Sequence, residues 1–362
     1  TDEPFVRYLY IRFKREKETM GLVQRLKRHF SKQYAFGKIV PVLLNNRALG
    51  WVKETTFFYK LTMRRIKKIT SAFDLPVNIQ IEATNLCNAK CVMCPNPTHE
   101  RVRGYMDVDV FKKIIDDLGT MPSVRELTLS GFGEPFLDKK LIEKIKYVKS
   151  TTNKSTLIYS NFSIMTPEKM GEILDSGLDV LNISFNGSSK ESYENTMKIS
   201  FDKTLDNVNK FIELKRARGT TKPLIYISCV LTQFNEEEAN QLRNMWAGKV
   251  DGVYIGPPDN WVGGVNVVLN KNKSLNRPSK FAYPCKLYYP TINWNGDVGF
   301  CCRDYEGKEV FGSVPKEKFM DIWNSPRFVG FRNIHHSGKM ISVCANCDVP
   351  YKRAGIKWWE PV

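Results

Sequence analysis

No apolar run in this 362-residue chain approaches the roughly 20 residues of a membrane-spanning helix, so no transmembrane segment is expected. The opening residues Thr1-Asp2-Glu3-Pro4 lack the basic and then apolar regions of a secretion signal. They also lack an initiator Met, so a preceding piece is expected. Internal repeats and low-complexity tracts are missing. An apolar fraction of 42% is ordinary for a globular protein and excludes wholesale disorder. Zinc-finger spacing, an RNA-binding signature and an interleaved aromatic ladder are absent as well. A chain of this length can bury a large core in one domain or two.

The net charge of +17, from 55 Lys and Arg against 38 Asp and Glu, is unevenly placed. Residues 1–75 hold 17 basic against 6 acidic side chains, a net of +11. Within them LVQRLKRHF and YKLTMRRIKKI space apolar residues three and four apart, which predicts helices, with FGKIVPVLLNNRALG between. The plain expectation is a basic helical extension packed on the main body with solvated faces. The sharper one is a surface that meets anionic lipid or an acidic partner, which would make a cytoplasmic protein peripheral at the membrane.

From residue 76 the pattern alternates. VNIQIEA, RELTLSG, STLIYSN, DVLNISF, LIYISCVLT and GVYIGP read as strands. Between them VFKKIIDDL, LIEKIKYV, PEKMGEILDSG, DKTLDNVNKFIELKRARG and NEEEANQLRNMW read as helices. Six strands alternating with helices imply parallel pairing, and six is short of a closed barrel of eight. A partial barrel and an open doubly wound sheet both fit, with the ligand site at the carboxyl ends of the strands. NKNKSLNRPSK reads as a linker or long loop. Residues 280–350 then hold five of the nine cysteines in a turn-rich stretch, the composition of a small domain organised around metal rather than a large apolar core.

The cysteines are Cys87, Cys91, Cys94, Cys229, Cys285, Cys301, Cys302, Cys344 and Cys347. An odd count without a secretion signal argues against a disulfide framework and for metal ligation in a reducing compartment. Cys87, Cys91 and Cys94 can occupy three corners of one centre, and no fourth cysteine stands nearby. Structural zinc and an ordinary [4Fe–4S] centre each take four protein ligands. Three therefore suggest a cluster with one iron left open; zinc with a remote fourth ligand such as His99 is the alternative.

CxxxCxxC in the loop after a first strand resembles the radical S-adenosylmethionine superfamily. The resemblance implies a partial (β/α)6 TIM-like barrel over residues 76–265. It also implies a [4Fe–4S] cluster on Cys87, Cys91 and Cys94 that binds S-adenosylmethionine and cleaves it to a 5′-deoxyadenosyl radical. Gly131-Phe132-Gly133-Glu134 is similar to the family's GGE motif, with Phe132 in the middle; Gly131, Gly133 and Glu134 would take the methionine ammonium. Ser160, Asn161 and Ser184 match strand-end cofactor contacts. Lys198 stands beside Met197, near a position where an arginine is common, and Asn186 replaces a common Asp. Met93 takes the place of an aromatic residue before the third cysteine, and Leu231 is a candidate for adenine packing. Gly104-Tyr105-Met106 matches the turn that leads to the first helix.

Cys285, Cys301, Cys344 and Cys347 resemble a SPASM or twitch extension over residues 280–350, with a second auxiliary [4Fe–4S] cluster and a short tail at 351–362. The spacing from Gly296 selects Cys301, and Cys302 is the rival ligand. Zinc on the same four thiols is the alternative, and Cys229 reads as core. Relatives of this kind imply hydrogen abstraction from a sugar, polyol or glycoconjugate, by dehydrogenation or epimerisation, with the auxiliary cluster in electron transfer. The implied partners are a small-molecule substrate and a reductant such as flavodoxin or ferredoxin. A peptide-modifying maturase is the first alternative, although residues 1–75 lack the three short strands of a winged helix. A nucleic-acid-binding or modifying protein is the second, and nucleic acid is not the expected partner. No catalytic acid or base is identified; Tyr105, Arg303 and Asp304 are pocket candidates.

Overall fold

The structure is a computed structural model that describes residues 75–267, 269, 289–336, 339, 342–348 and 359–360. The basic extension lies outside the described residues apart from Leu75, as do Cys285 and most of the tail.

Six parallel strands form the body of one sheet: β1 Asn78–Ile81, β2 Glu126–Thr128, β3 Ser155–Ser160, β4 Val180–Ser184, β5 Leu224–Val230 and β6 Gly252–Gly256. They lie side by side in chain order from β6 to β1, without reversal. A doubly wound sheet reverses its order at a switch point, so this succession is that of a partial TIM-like barrel. Ile79 and Ile81, Leu181 and Ile183, and Ile225 and Ile227 recur at every second position and are buried, which is the alternation that makes these segments strands.

Helices fill the crossovers: α1 Val108–Gly119, α2 Leu141–Thr151, α3 Pro167–Leu174, α4 Lys190–Met197, α5 Phe201–Ala217 and α6 Ala239–Trp246. In α1 the Asp107 carboxylate caps the amides of Asp109 and Val110, and Phe111, Ile114, Ile115 and Leu118 form the buried stripe. Thr166 caps α3 through the Lys169 amide. α4 was not among the expected helices; its sequence KESYENTM has little apolar periodicity. It is held by a Ser189–Ser192 capping box and by burial of Tyr193 and Met197.

The C-terminal part continues the same sheet. β7 Thr291–Ile292 pairs parallel with β1, and β8 Asp297–Gly299 and β9 Val310–Ser313 follow antiparallel. Asn295-Gly296 makes the β7–β8 turn, with Gly296 at φ +89°. At the far edge β10 Trp359–Glu360 pairs antiparallel with β6. Helices α7 Phe319–Trp323 and α8 Pro326–His336 pack on β9 and each other.

Aromatic side chains of this region extend the buried core that the expectation of a metal-organised unit left out. Phe300, Phe311, Phe319, Trp323, Phe328 and Phe331 are all buried. Phe311 stacks on Phe328 at 4.1 Å, and the Arg332 guanidinium lies 4.1 Å from the Trp323 ring. No helix among the described residues is long and apolar enough to cross a membrane.

Candidate functional site

The loop after β1 carries Cys87, Cys91 and Cys94 and is closed on itself by polar side chains. Asn85 donates to the Val102 carbonyl at 2.8 Å and accepts from the Gly104 amide at 2.9 Å. Thr84 donates to the Gly104 carbonyl at 2.7 Å, and Asn96 to the Asn85 carbonyl at 2.8 Å. The amides of Ala89 and Asn96 point at Cys87 Sγ and Cys94 Sγ, each at 3.4 Å. The C-terminal end of α4 braces the middle: Val92 donates to the Thr196 carbonyl at 3.0 Å, and Cys91 Sγ lies 3.5 Å from Met197 Sδ.

Burial pushes all three thiols up, Cys87 to about 11, and for Cys91 the neighbouring Cys94 and Cys87 add to it. These thiols hold their protons until a metal displaces them. Among the described residues no three Cys, His, Asp or Glu side chains close on a single-ion site. A multi-iron cluster, whose thiolates bind separate irons, needs no such convergence. His99 is buried, and burial with the Arg103 and Arg101 charges holds its imidazole down to about 4. Three thiols on one short loop fit an iron–sulfur cluster with one iron left open.

Glu134, at the exit of β2, is fully buried and faces this loop. Its carboxylate accepts from Ser160 Oγ at 2.8 Å, the Asn161 amide at 2.7 Å and the Phe136 amide at 3.1 Å. Burial pushes the carboxyl up to about 7 against these three hydrogen bonds. An ionised carboxylate has about four lone-pair sites. Three are taken by these donors. A Cβ on Gly133 would stand 2.3 Å from the Thr84 carbonyl oxygen and 2.5 Å from that of Leu86, so only glycine lets this turn approach the cysteine loop. A Cβ on Gly131 would meet the Glu82 side chain at 2.5 Å.

Asn161 donates to Asn88 Oδ1 at 3.0 Å and lies 4.0 Å from Cys87 Sγ, so it belongs to the same site. Ser184 ends β4, and Asn186 beyond it contacts Met197 Sδ at 2.8 Å. Lys198 caps α4 in the left-handed region, its Nζ 5.9 Å from the Phe234 ring centre. Leu231 and Met93 are buried in the apolar core, and the Met93 carbonyl accepts from Trp261 Nε1 at 2.8 Å.

In the C-terminal set, Cys344 and Cys347 are buried on one turn and Cys301 follows β8. Arg303 faces both adjacent thiols: its amide donates to Cys301 Sγ at 3.5 Å, and a guanidinium nitrogen lies 3.8 Å from Cys302 Sγ, a charge that favours a thiolate in the pair. Cys229 is buried in β5, as expected of a core residue. Asp304 and Tyr305 line an open cavity of about 670 Å³, with Gly263, Lys308 and Asn346. Tyr105 instead is exposed and bridges to Thr84.

Sequence reasoning missed Glu82, which takes Arg101 in a two-nitrogen ion pair and accepts from the Phe132 and Trp294 amides at 3.3 Å. It also missed Asn88 and the residues Asp259 to Trp261. Glu82 carried a signal, an acid at the end of a strand five residues before the first cysteine. The others carried none, because their partners are remote in sequence.

Comparison with known proteins gives two family matches: the radical SAM superfamily over residues 81–245 and an iron–sulfur cluster-binding SPASM domain over residues 285–348. The chain is 24% identical over 311 residues to the tungsten-containing aldehyde ferredoxin oxidoreductase cofactor-modifying protein of Pyrococcus furiosus, covering 75% of this chain and 87% of that one. It is 22% identical over 278 residues to the S-adenosyl-L-methionine-dependent 2-deoxy-scyllo-inosamine dehydrogenase of Niallia circulans, covering 75% and 92%. Among solved structures, Streptococcus suis SuiB bound to the precursor peptide SuiA superposes with a TM-score of 0.60 at 15% identity, covering 92% of this chain and 85% of that one. At that identity the likeness is one of fold.

Proposed function

Because this chain belongs to the radical SAM superfamily and carries a SPASM domain, we propose that it is an S-adenosylmethionine-dependent enzyme. In this reading it removes a hydrogen atom from a sugar, polyol or glycoconjugate, and a C-terminal cluster takes part in electron transfer. When bound, the cluster and S-adenosylmethionine supply a carbon-centred radical able to take hydrogen from an unactivated C–H bond. The observation that carries the reading is the wholly buried Glu134 carboxylate, packed beside the loop that carries three free thiols.

Cys87, Cys91 and Cys94 would hold the first cluster, and the amides of Ala89 and Asn96 would stabilise its sulfurs. Glu134 would bind the ammonium, while Ser160 and the Asn161 amide fix the position of its carboxylate. Phe132 gives the GGE-like turn an aromatic side, edge-on to Trp261 at 5.4 Å, which excludes water from that flank. Cys301, Cys344 and Cys347, with Cys285, would hold the second cluster. The alcohol-type substrate is supported by the second relative, whose length the match covers nearly in full.

Anaerobic reconstitution tests the reading. About eight irons per chain are expected for two [4Fe–4S] clusters, falling to about four in Cys344→Ala. Cys91→Ala should abolish cofactor cleavage. A deuterated polyol should pass its label to 5′-deoxyadenosine. Label transfer from a peptide alone would replace the substrate class, and absence of iron would overturn the whole reading.

A further inference from the structure

The loop that leaves β6 reaches both cysteine regions with three consecutive side chains. Asp259 takes the Arg303 guanidinium at 2.9 Å. Arg303 in turn lies against the Cys301–Cys302 pair: its amide donates to Cys301 Sγ at 3.5 Å, and a guanidinium nitrogen is 3.8 Å from Cys302 Sγ. Asn260 uses both ends of its amide on the backbone around Cys347. It donates to the Asn346 carbonyl at 2.7 Å and accepts from the Asp348 amide at 3.2 Å. Trp261 turns the other way, donating from Nε1 to the Met93 carbonyl at 2.8 Å, one residue before Cys94. Its ring packs edge-on to Phe132.

The backbone here is held in an unfavourable form. Trp261 has φ +46° and Val262 φ +52°. Left-handed backbone is rare for non-glycine residues and an outlier for a β-branched one, and it persists where surrounding contacts over-determine it. In this position it allows adjacent side chains to diverge, Asn260 toward the C-terminal turn and Trp261 toward the barrel loop.

We propose that Asp259-Asn260-Trp261 is a strut of positioning residues that fixes the C-terminal cysteine loops relative to the three-cysteine loop, so that disturbing either end loosens both. The geometry stands on side-chain contacts alone; its consequence, a fixed separation of two metal centres, rests on the function proposed above. A single short segment that hydrogen-bonds both loops transmits displacement more directly than the longer path through β7 and β1. The inter-centre distance is thereby set by contacts of the β6 exit.

The test compares Trp261→Phe, Asn260→Ala and Asp259→Asn with the parent in the full-length, anaerobically reconstituted protein. Trp261→Phe keeps the ring against Phe132 and removes only the donor. Backbone hydrogen exchange is followed in residues 88–96 and 342–348. The strut requires that Trp261→Phe raise exchange by about tenfold, the factor for one lost hydrogen bond, in both segments and not only in the first. Asn260→Ala must do the same in the reverse direction. The relaxation of the EPR signal of the reduced first centre, which reports its distance to the second, should change in both variants while iron content stays that of the parent. If each variant loosens only the loop it touches and the relaxation is unaltered, the strut is wrong. If Trp261→Phe does not fold, Asn260→Ala decides by the same readouts. A parent protein that takes up no iron overturns the proposed function instead, and reciprocal exchange in the iron-free chain then still supports the strut.

Discussion

A carboxylate taken wholly out of water has to be stabilised by what surrounds it, and burial still raises Glu134 against its three donors. The proposed ammonium would supply the opposite charge that favours its ionised form. Glu134→Gln keeps the size and one acceptor and removes the charge. Loss of a charge-assisted hydrogen bond amounts to about 1.5–3 kcal/mol, so S-adenosylmethionine should bind roughly 10- to 100-fold more weakly by calorimetry. Iron content should be that of the parent. Gly133→Ala should do the opposite, since its methyl group would collide with backbone carbonyls of the cysteine loop rather than with a flexible side chain. Reduced iron uptake in Gly133→Ala, and normal uptake in Glu134→Gln, would separate the two roles. Both residues were singled out in the sequence by the likeness of a local run, Gly131-Phe132-Gly133-Glu134, to the GGE motif. Asn88 and Met197, which touch the same site, were not, because each acquires its meaning from a segment many residues away.

At the scale of elements, Asp179 ties three crossovers at the entry to β4. Its carboxylate accepts from the Thr156 amide of β3 at 3.0 Å and from Lys149 of α2 at 2.7 Å, and it pairs with Lys222 before β5. Burial raises the carboxyl, but the hydrogen bonds from Lys149, Lys222 and Thr156 outweigh it and hold it below the usual carboxylate range. A depressed pKa means stability that is present above the unfolded value of about 4 and lost as pH falls through the folded value. Asp179→Asn should therefore cost about 1–3 kcal/mol at neutral pH, seen as a lower urea midpoint, with the difference from the parent shrinking below about pH 4. A constant difference across that range would exclude the ion pairs as its source. The six strands and most crossover helices were legible because each shows its own apolar period. α4 was not, since capping and two buried side chains hold it. Nor was the C-terminal aromatic core, whose rings come together only when β8, β9, α7 and α8 pack.

The described strands form one sheet, and its two functional halves meet through polar side chains as well as the β1–β7 pairing. Glu82 is the principal one. It stands at the end of β1, grips Arg101 of the cysteine loop, and accepts amides from both the GGE-like turn and Trp294 of the β7–β8 hairpin. Arg101 reaches the Tyr305 carbonyl at 3.4 Å in the C-terminal part as well. Both side chains are almost fully enclosed, so removing one partner leaves the other charge buried and unpaired, a loss of about 3–5 kcal/mol. Arg101→Met should show that loss in denaturant unfolding. Because the pair joins the halves rather than stiffening one of them, it should also divide the transition: fluorescence of the tryptophans and far-UV ellipticity, coincident in the parent, should separate in the variant. Replacing both partners, Glu82→Gln with Arg101→Met, should recover part of the stability, because no unpaired charge is left behind, but not the coincidence, because the bridge is still gone. Coincident transitions in both variants would take the join away from the Glu82–Arg101 pair and leave it to the β1–β7 pairing and the β6 exit loop.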